Sequence, residues 1–159
     1  MNEAKSAVAS VFGRKFLGYA FWRGPGGAVK RAVADTAIQA FKDRIRELTP
    51  RATGRSLRAV AERLRIFMRG WKAYFRLAQT PGVWRRLDEW IRHRLRAIQL
   101  KQWGRGGTIL RALTALGAKP AVADRVARNA RCWWRNSGIL LNAVLTIQWA
   151  DQLGVPRLA

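Results

Sequence analysis

The chain has 159 residues, 49% of them apolar, and it carries 31 Lys and Arg against nine Asp and Glu, a formal net charge of +22. This length fits one or two small globular units that each bury a hydrophobic core. So large a positive charge opposes compaction, which favours an anionic partner. Twenty-four of the cations are arginine, whose planar fork grips phosphate and stacks on bases, and this favours structured nucleic acid.

A membrane partner is disfavoured by the apolar pattern. The longest apolar stretch, residues 139–150, includes three polar side chains and is shorter than the roughly 18 residues that a span needs. Residues 1–10 lack the apolar segment of a signal peptide. The single cysteine, Cys132, cannot form an internal disulfide, which agrees with a reducing compartment. We therefore expect no membrane association and a cytoplasmic location, or an organellar one if a transit sequence has been lost.

The first predicted element lies in residues 11–22, which are rich in aromatic and β-compatible side chains and precede a Gly-Pro-Gly-Gly turn at residues 24–27. This pattern predicts a strand or a hairpin. An isolated hairpin is marginal in water, and the rest of the chain offers no predicted sheet for it to join. We therefore expect these residues to belong to a larger fold.

Helical periodicity follows in three long segments. Apolar residues at spacings of three and four predict a first helix over residues 38–48, closed by Pro50 and Gly54. Ser56 is a plausible cap for a second helix that stops before Pro81, and a third runs over residues 83–103. We expect Trp71, Phe75 and Trp84 to lie in the core, since aromatic residues at helical spacing are more often core than base platforms.

Gly104, Gly106 and Gly107 predict a flexible break before a smaller C-terminal helical group. Its predicted helices cover residues 109–116, 120–131 and 138–153, and Ser137 is expected to cap the last one. The predicted fold class is mainly α, a helical bundle with a short N-terminal strand or hairpin and a smaller C-terminal helical group. The expected units are residues 1–30, 31–104 and 105–159.

The cations of the second and third helices fall on narrow sectors. At about 100° per residue, one sector of the second helix gathers five cations, which we call the first basic row: Arg58, Arg65, Arg69, Lys72 and Arg76. The third helix gathers a second basic row beside its core face: Arg85, Arg92 and Arg96, together with Trp103. Most charge runs are solvated faces, but such faces usually mix signs, and these rows favour phosphate contact along a groove.

Further candidate nucleic-acid contacts lie outside the rows. Around the loop after the first helix and at the end of the third helix they are Arg44, Arg46, Arg51, Arg55 and Lys101. Trp133 and Trp134 are adjacent and cannot share one helix face, so we expect one of them to be exposed or to meet another element. The candidates there are Arg131, Trp134 and Arg135.

The residues that could support catalysis do not form a recognisable site. Apart from Glu3 the carboxylates are scattered, and the adjacent pair Asp88 and Glu89 would diverge by about 100° on a helix, which is poor geometry for two metal ions. His93 has no ligand partner at metal spacing, so a structural or phosphate-contacting role is expected. The glycines at 104–107 lack the residues of a Walker loop. We expect no catalytic site, no metal and no cofactor.

Four segments, in order, resemble the C-terminal region of group II intron reverse transcriptase/maturases. KFLGYAFW from Lys15 resembles the last conserved block of the polymerase palm. RIRELTPRATGRSL from Arg44, RGWKAYF from Arg69 and LDEWIRHRLRAIQLKQW from Leu87 resemble the maturase-specific segment, also called domain X or the thumb. The resemblance is strongest over residues 41–118, and the stretch from Cys132 with its final helix resembles the ending of the family.

The resemblance implies a helical thumb that binds structured group II intron RNA and assists its folding and splicing. In the full-length relatives this region also holds a primer–template RNA/DNA duplex. The Tyr-Ala-Asp-Asp type block of the family polymerase is absent from this sequence, so reverse transcription is not carried over, and the strand at residues 15–22 would find its sheet in a palm. Three alternatives stay open: a thumb fragment of a split or truncated reverse transcriptase that works with a separately supplied palm, a non-functional mobile-element remnant, and a cationic membrane-active protein.

Overall fold

The computed structural model describes residues 10–52 and 54–159, and its first elements form a small antiparallel sheet. Strands β1 (Lys15–Phe16), β2 (Tyr19–Arg23) and β3 (Val29–Val33) lie side by side in that order. The hairpin predicted for residues 11–22 is confirmed. The expectation that it has no further strand to join within the chain is wrong, because β3 pairs with β2 along its whole length. The expectations for residues 1–9 lie outside the described residues.

Seven α-helices follow in the part of the chain that the structure describes, as the predicted mainly α fold class requires. The three long ones are α1 (Asp35–Leu48), α2 (Leu57–Tyr74) and α3 (Pro81–Trp103). The smaller C-terminal group contains α4 (Gly106–Ala115), α5 (Pro120–Arg128), α6 (Trp133–Arg135) and α7 (Ile147–Gln152). The predicted cap of α2 is confirmed, since the Ser56 hydroxyl accepts the backbone N–H of Ala59 at 3.2 Å. Pro81 opens α3, where its missing N–H has no helical partner to lose.

The sheet packs against the end of α2 through its tight turn. Leu17 and Gly18 both have positive φ, 50° and 78°, the requirement of the two-residue hairpin turn that matches strand twist. A Cβ at Gly18 would lie 3.1 Å from the Phe75 ring, so glycine also permits the close approach. The Tyr19 hydroxyl donates to the carbonyl of Tyr74 at 2.7 Å. Strand pairing and these contacts fix the sheet on the bundle.

The outer edge of β3 is closed by Gln79, from the segment between α2 and α3, through both its backbone and its side chain. The backbone N–H of Gln79 donates to the carbonyl of Arg31 at 2.8 Å, and the N–H of Arg31 donates to Oε1 of Gln79 at 3.2 Å. One glutamine thus satisfies both backbone groups of the central residue of this edge strand.

The first hydrophobic core lies between α1, α2 and the first part of α3. Phe41, Ile45, Leu64 and Leu95 are each at most 1% exposed within it. Trp71 stands over the Phe41 ring with 4.2 Å between ring centroids. The core assignment of Trp71, Trp84 and Phe75 is confirmed, because Phe75 is buried and both tryptophans pack against this core.

The second core lies among the end of α3, α4, α5 and the segment before α7. Leu100 of α3 joins Ile109, Leu113, Val126 and further buried residues there. The break predicted around Gly104 to Gly107 is only two residues long, since α4 already begins at Gly106. A Cβ at Gly106 would lie 2.7 Å from the Ala127 carbonyl oxygen, so this glycine lets α4 and α5 pack closely.

The helix predicted over residues 138–153 is wrong, because the chain there is divided. A π-helical turn covers Asn136–Leu140, a 3₁₀ turn covers Leu141–Ala143, and only Ile147–Gln152 is α-helical. The buried Arg96 of α3 donates to the carbonyls of Ser137 at 3.2 Å and of Leu145 at 2.8 Å. Because Arg96 donates to the Ser137 carbonyl, the N–H of Leu141 donates to the carbonyl of Asn136, five residues back, rather than to the carbonyl four residues back that an α-helix would use.

Ser137 does not cap a helix, contrary to the prediction. It is fully buried, and its hydroxyl donates to the Trp134 carbonyl at 2.8 Å. Gly138 follows, where a Cβ would lie 3.1 Å from the His93 ring. A small buried residue and a glycine therefore bring this segment directly against α3, which leaves no room for the solvated first turn of a helix.

The C-terminal segment, residues 153–159, is held by the buried carboxylate of Asp88. Asp88 is 6% exposed, and its oxygens accept the backbone N–H groups of Leu158 at 2.9 and 3.0 Å and of Ala159 at 3.0 Å. Leu158 and Val155 are buried in the first core. Sequence reasoning missed this contact, which joins positions 70 residues apart.

The Asp88→Ala variant should be destabilised by about 2 to 3 kcal/mol, because two backbone N–H groups lose a charged acceptor in a buried setting. Glu89→Ala, at the neighbouring exposed position, should change the free energy of unfolding by less than about 0.5 kcal/mol. Urea unfolding at constant m-value measures both. Equal midpoints for the two variants would contradict the structural role of Asp88.

Candidate nucleic-acid interface

Four members of the first basic row lie on the surface of α2, and Arg76 follows two residues after the helix ends at Tyr74, which is earlier than the predicted end just before Pro81. Arg58, Arg69, Lys72 and Arg76 are exposed, while Arg65 is half-buried and forms an ion pair with Glu62 one turn away. The helix places its four cations there because the adjacent face of α2 carries Leu57, Val60, Leu64 and Met68, all buried in the first core. Burial of that face therefore directs the guanidinium and ammonium groups outward.

The second basic row is smaller than predicted, because Arg96 is inside the protein. Arg85 is exposed and Arg92 is half-buried, but Arg96 is only 4% exposed and donates to two backbone carbonyls. Burial, together with the charge of Arg92, lowers its pKa to about 10, and Glu89 opposes this shift. Arg96 thus keeps its charge at neutral pH but is unavailable to an external phosphate.

Trp103, the aromatic member of the second row, packs against the second core and is half-buried. Its position at the end of α3 beside Leu100 explains this, since α4 folds back over that end. Trp103 therefore contributes to stability rather than to an exposed stacking surface.

The C-terminal segment lies against both rows, so the groove predicted between them is partly filled. The ammonium of Lys72 donates to the carbonyl of Arg157 at 2.9 Å, and Asp88 on α3 holds the two residues that follow. Arg157 binds Asp151, and this hydrogen bond lowers the pKa of Asp151, with a smaller contribution from Arg92. The protein itself therefore occupies part of the space between α2 and α3.

Arg51, Arg55 and Lys101 come together around an open cleft of about 450 Å³. The amide of Gln102 donates to the backbone carbonyl of Arg55 at 2.8 Å, which joins the loop to the end of α3. Three cations from two distant segments thus line one cavity, as expected for a site that receives a phosphate backbone.

The cations of α1 have acidic neighbours. Arg44 pairs with Glu47 at 2.6 Å and Arg46 with Asp43 at 2.5 Å. All four side chains are about half exposed, so these pairs contribute little to stability. The carboxylates partly neutralise the positive charge of Arg44 and Arg46, which weakens these two as candidates for phosphate contact.

The tryptophan pair connects the loop to α3. The Arg51 guanidinium lies 4.2 Å from the centroid of Trp133, a cation–π contact. Trp134 is 40% exposed and stacks on His93 with 3.8 Å between centroids. The expectation that at least one of the two is exposed or meets another element is confirmed. Of the two roles expected for His93, structural or phosphate-contacting, the structural one is observed, since Nε2 hydrogen-bonds to the Trp134 carbonyl at 2.8 Å.

Arg131 and Arg135 are both exposed and flank this aromatic pair along the chain. Sequence reasoning missed Arg94, which donates to the hydroxyl and carbonyl of Thr49 at 2.6 and 2.8 Å. Burial and the charge of Arg46 lower its pKa. Arg94 lies one residue beyond His93, on a face that periodicity alone assigns to solvent, and its partner is 45 residues away.

This surface presents cationic and aromatic side chains. Among the described residues, 10–52 and 54–159, no group of three or more His, Cys, Asp or Glu side chains could hold a metal ion. No helix in that same part of the chain has the length and apolar character to cross a membrane.

The fold and its surface define a basic, mainly helical module in which a three-helix bundle with an exposed cationic face supports a smaller helical group. Residues 38–114 match the family model of the group II intron, maturase-specific domain. They include nearly all of α1, the whole of α2 and α3, and most of α4. This part of the chain is a maturase-specific domain, as the resemblance predicted. No curated protein matches the chain.

Arg96→Ala should destabilise the protein by about 2 to 4 kcal/mol, because the carbonyls of Ser137 and Leu145 lose a charged donor in a buried site. Arg92→Ala, which removes the same charge from a half-buried position on the same helix, is the matched control and should cost less than about 1 kcal/mol. Thermal unfolding measures both changes. A variant that unfolds like the wild type but loses RNA affinity would show that Arg96 faces the partner.

Proposed function

We propose that this protein binds structured group II intron RNA and assists the folding of that RNA into its splicing-competent form. The observation that carries the proposal is the first basic row, four of whose five members lie on the surface of α2 within the maturase-specific domain. A domain of this family with an exposed line of cations fits a partner whose backbone carries regular negative charge.

The geometry of the row suits a phosphate backbone. Arg58 and Lys72 are both on α2, and at 1.5 Å per residue the row between them is about 21 Å long. The four members from Arg58 to Lys72 follow one side of a rigid helix, so several can contact successive phosphates at once without reordering the chain. Three of them are arginines, which grip phosphate through two parallel hydrogen bonds.

The loop cleft adds a second cationic contact region beyond the row. Arg51, Arg55 and Lys101 line it, and Trp134 presents an exposed ring on the C-terminal group. Cations position a nucleic acid through its backbone, and aromatic rings stack on unpaired bases. Together these features support recognition of a folded RNA that exposes both backbone and unpaired bases.

The mechanism follows from charge neutralisation. Helices within a folded RNA repel one another through their phosphates, and cations held on the rigid α2 lower that repulsion at the sites they contact. Cations far outnumber acidic groups in the chain, which has a formal net charge of +22, and the exposed cations, unlike the buried Arg96, are accessible to an external phosphate. No step in this role requires bond chemistry by the protein.

Changing Arg58, Arg69 and Arg76 together to Gln should flatten the salt dependence of RNA binding. Each lost phosphate contact removes about 0.7 to 0.9 from the slope of log affinity against log salt, so the slope should fall by about 2 to 3. Affinity for a structured intron RNA, measured by filter binding at several salt concentrations, gives this slope.

The matched control changes Arg63, Arg111 and Arg128 to Gln, which removes the same charge from exposed positions outside the row. The slope of log affinity against log salt for this control should differ from that of the wild type by no more than about 0.9, the contribution of one phosphate contact. Equal loss of slope in both triple variants would mean that net charge alone drives binding, and the row would then have no specific role.

Assistance of folding is tested by splicing of a group II intron RNA in vitro. The protein should lower the Mg²⁺ concentration at which the RNA splices, since its cations replace part of the counterion atmosphere. The Arg58, Arg69 and Arg76 triple variant should lose this effect. Tight RNA binding without any change in the Mg²⁺ requirement would contradict the folding role, and preference for an RNA/DNA duplex over intron RNA would favour the thumb-fragment alternative.

A further inference from the structure

A separate pocket of about 230 Å³ lies in the C-terminal group, between the end of α5 and the turn after α6. It is outside both basic rows and outside the matched residues 38–114. Six residues line it: Arg125, Asn129, Cys132, Arg135, Asn136 and Leu140. Neither the sequence pattern nor the family match assigns it a role.

The pocket is cationic without an acidic counterpart. Arg125 and Arg135 line it and no carboxylate does. Their guanidinium groups have no hydrogen bond or ion pair to any other described residue, whereas Arg128 on the same helix α5 is paired with Asp124. Two unpaired guanidinium groups at one cavity are suited to a phosphate, which each can grip through two hydrogen bonds.

The polar wall of the pocket is held in a fixed orientation. Asn136 is 2% exposed, and its amide nitrogen donates to the Asn129 carbonyl at 2.9 Å. The Asn129 amide nitrogen donates to the Arg125 carbonyl at 3.0 Å. Both side-chain oxygens therefore remain as acceptors without a donor among the described residues, and fixed amides read the edges of unpaired bases.

We infer that this pocket holds one unpaired nucleotide of the bound RNA, with its phosphate between Arg125 and Arg135 and its base against Leu140 and the two amides. This rests on the proposed RNA binding and adds a recognition site for a base turned out of its helix. RNA-binding proteins obtain sequence preference chiefly from such splayed bases, so the pocket gives a cationic protein a means of choosing among RNAs.

Cys132 makes the pocket directly measurable, because it is exposed, it lines the pocket and it is the one cysteine in the sequence. A neutral alkylating reagent such as iodoacetamide therefore reports on this site alone. A single-stranded RNA oligonucleotide at about ten times its Kd should slow alkylation about tenfold, because only the unoccupied fraction reacts. Fluorescence anisotropy of the same labelled oligonucleotide measures binding in parallel.

The variant Arg125→Gln with Arg135→Gln should lose this protection while its first basic row still binds the oligonucleotide. Arg111→Gln with Arg128→Gln is the matched control, since it removes the same charge from the same helical group outside the pocket, and it should keep the protection. A thermal transition at the wild-type temperature shows that both variants are folded.

The possible results distinguish a failure of the pocket proposal from a failure of the proposed function. RNA that binds without protecting Cys132, or that protects it equally in both double variants, overturns the pocket and leaves the function standing. Inorganic phosphate or adenosine monophosphate that protects as well as the oligonucleotide at equal concentration overturns the assignment to a nucleotide within a strand. An oligonucleotide and an intron RNA that both fail to bind overturn the proposed function and the pocket together.

Discussion

The guanidinium group of Arg96 attaches the C-terminal group to the bundle. It projects from α3 and donates to the carbonyls of Ser137 and Leu145, which are separated by two irregular turns. A buried charge of this kind is tolerated only when its donors are satisfied, and these two carbonyls are free to accept because the chain there is not a continuous α-helix. The irregular backbone and the buried arginine therefore depend on each other.

The shape of the cationic surface follows from that attachment. With Arg96 inside, Gly138 approaches His93 and α6 lies where Trp133 meets Arg51 and Trp134 meets His93. The third helix is thereby covered on several sides, and Leu95 and Leu100 on it belong to two different cores. The second helix has only one buried face, which is why it carries the longer exposed row of cations.

The elements that sequence predicted well are those specified by local pattern. The three long helices, the Ser56 cap and the N-terminal hairpin follow from periodicity and turn chemistry within short windows of chain. The outward face of α2 was predictable for the same reason, since its apolar stripe determines which residues remain exposed. The family resemblance rested on segments inside these same helices.

Long-range contacts could not be predicted in this way. On the helical pattern Arg96 falls on the solvent-facing side of α3. Its burial is visible only from its hydrogen-bond partners, which lie 41 and 49 residues further along the chain. Asp88 sits in the first half of α3, and its acceptor role depends on backbone at residues 158 and 159. Strand β3 carries Lys30 and Arg31, so its strand character comes from pairing with β2 rather than from its own composition.

The contact between Gln79 and Arg31 has a consequence for behaviour at high concentration. A strand at the edge of a sheet presents unpaired backbone groups to other chains and can template aggregation. Here one edge, β1, is only two residues long, and at the other edge Gln79 already occupies both backbone groups of the central residue of β3. Neither edge offers an incoming strand a continuous ladder, so the sheet resists edge-to-edge polymerisation even at a salt concentration that screens the charge that otherwise keeps copies apart.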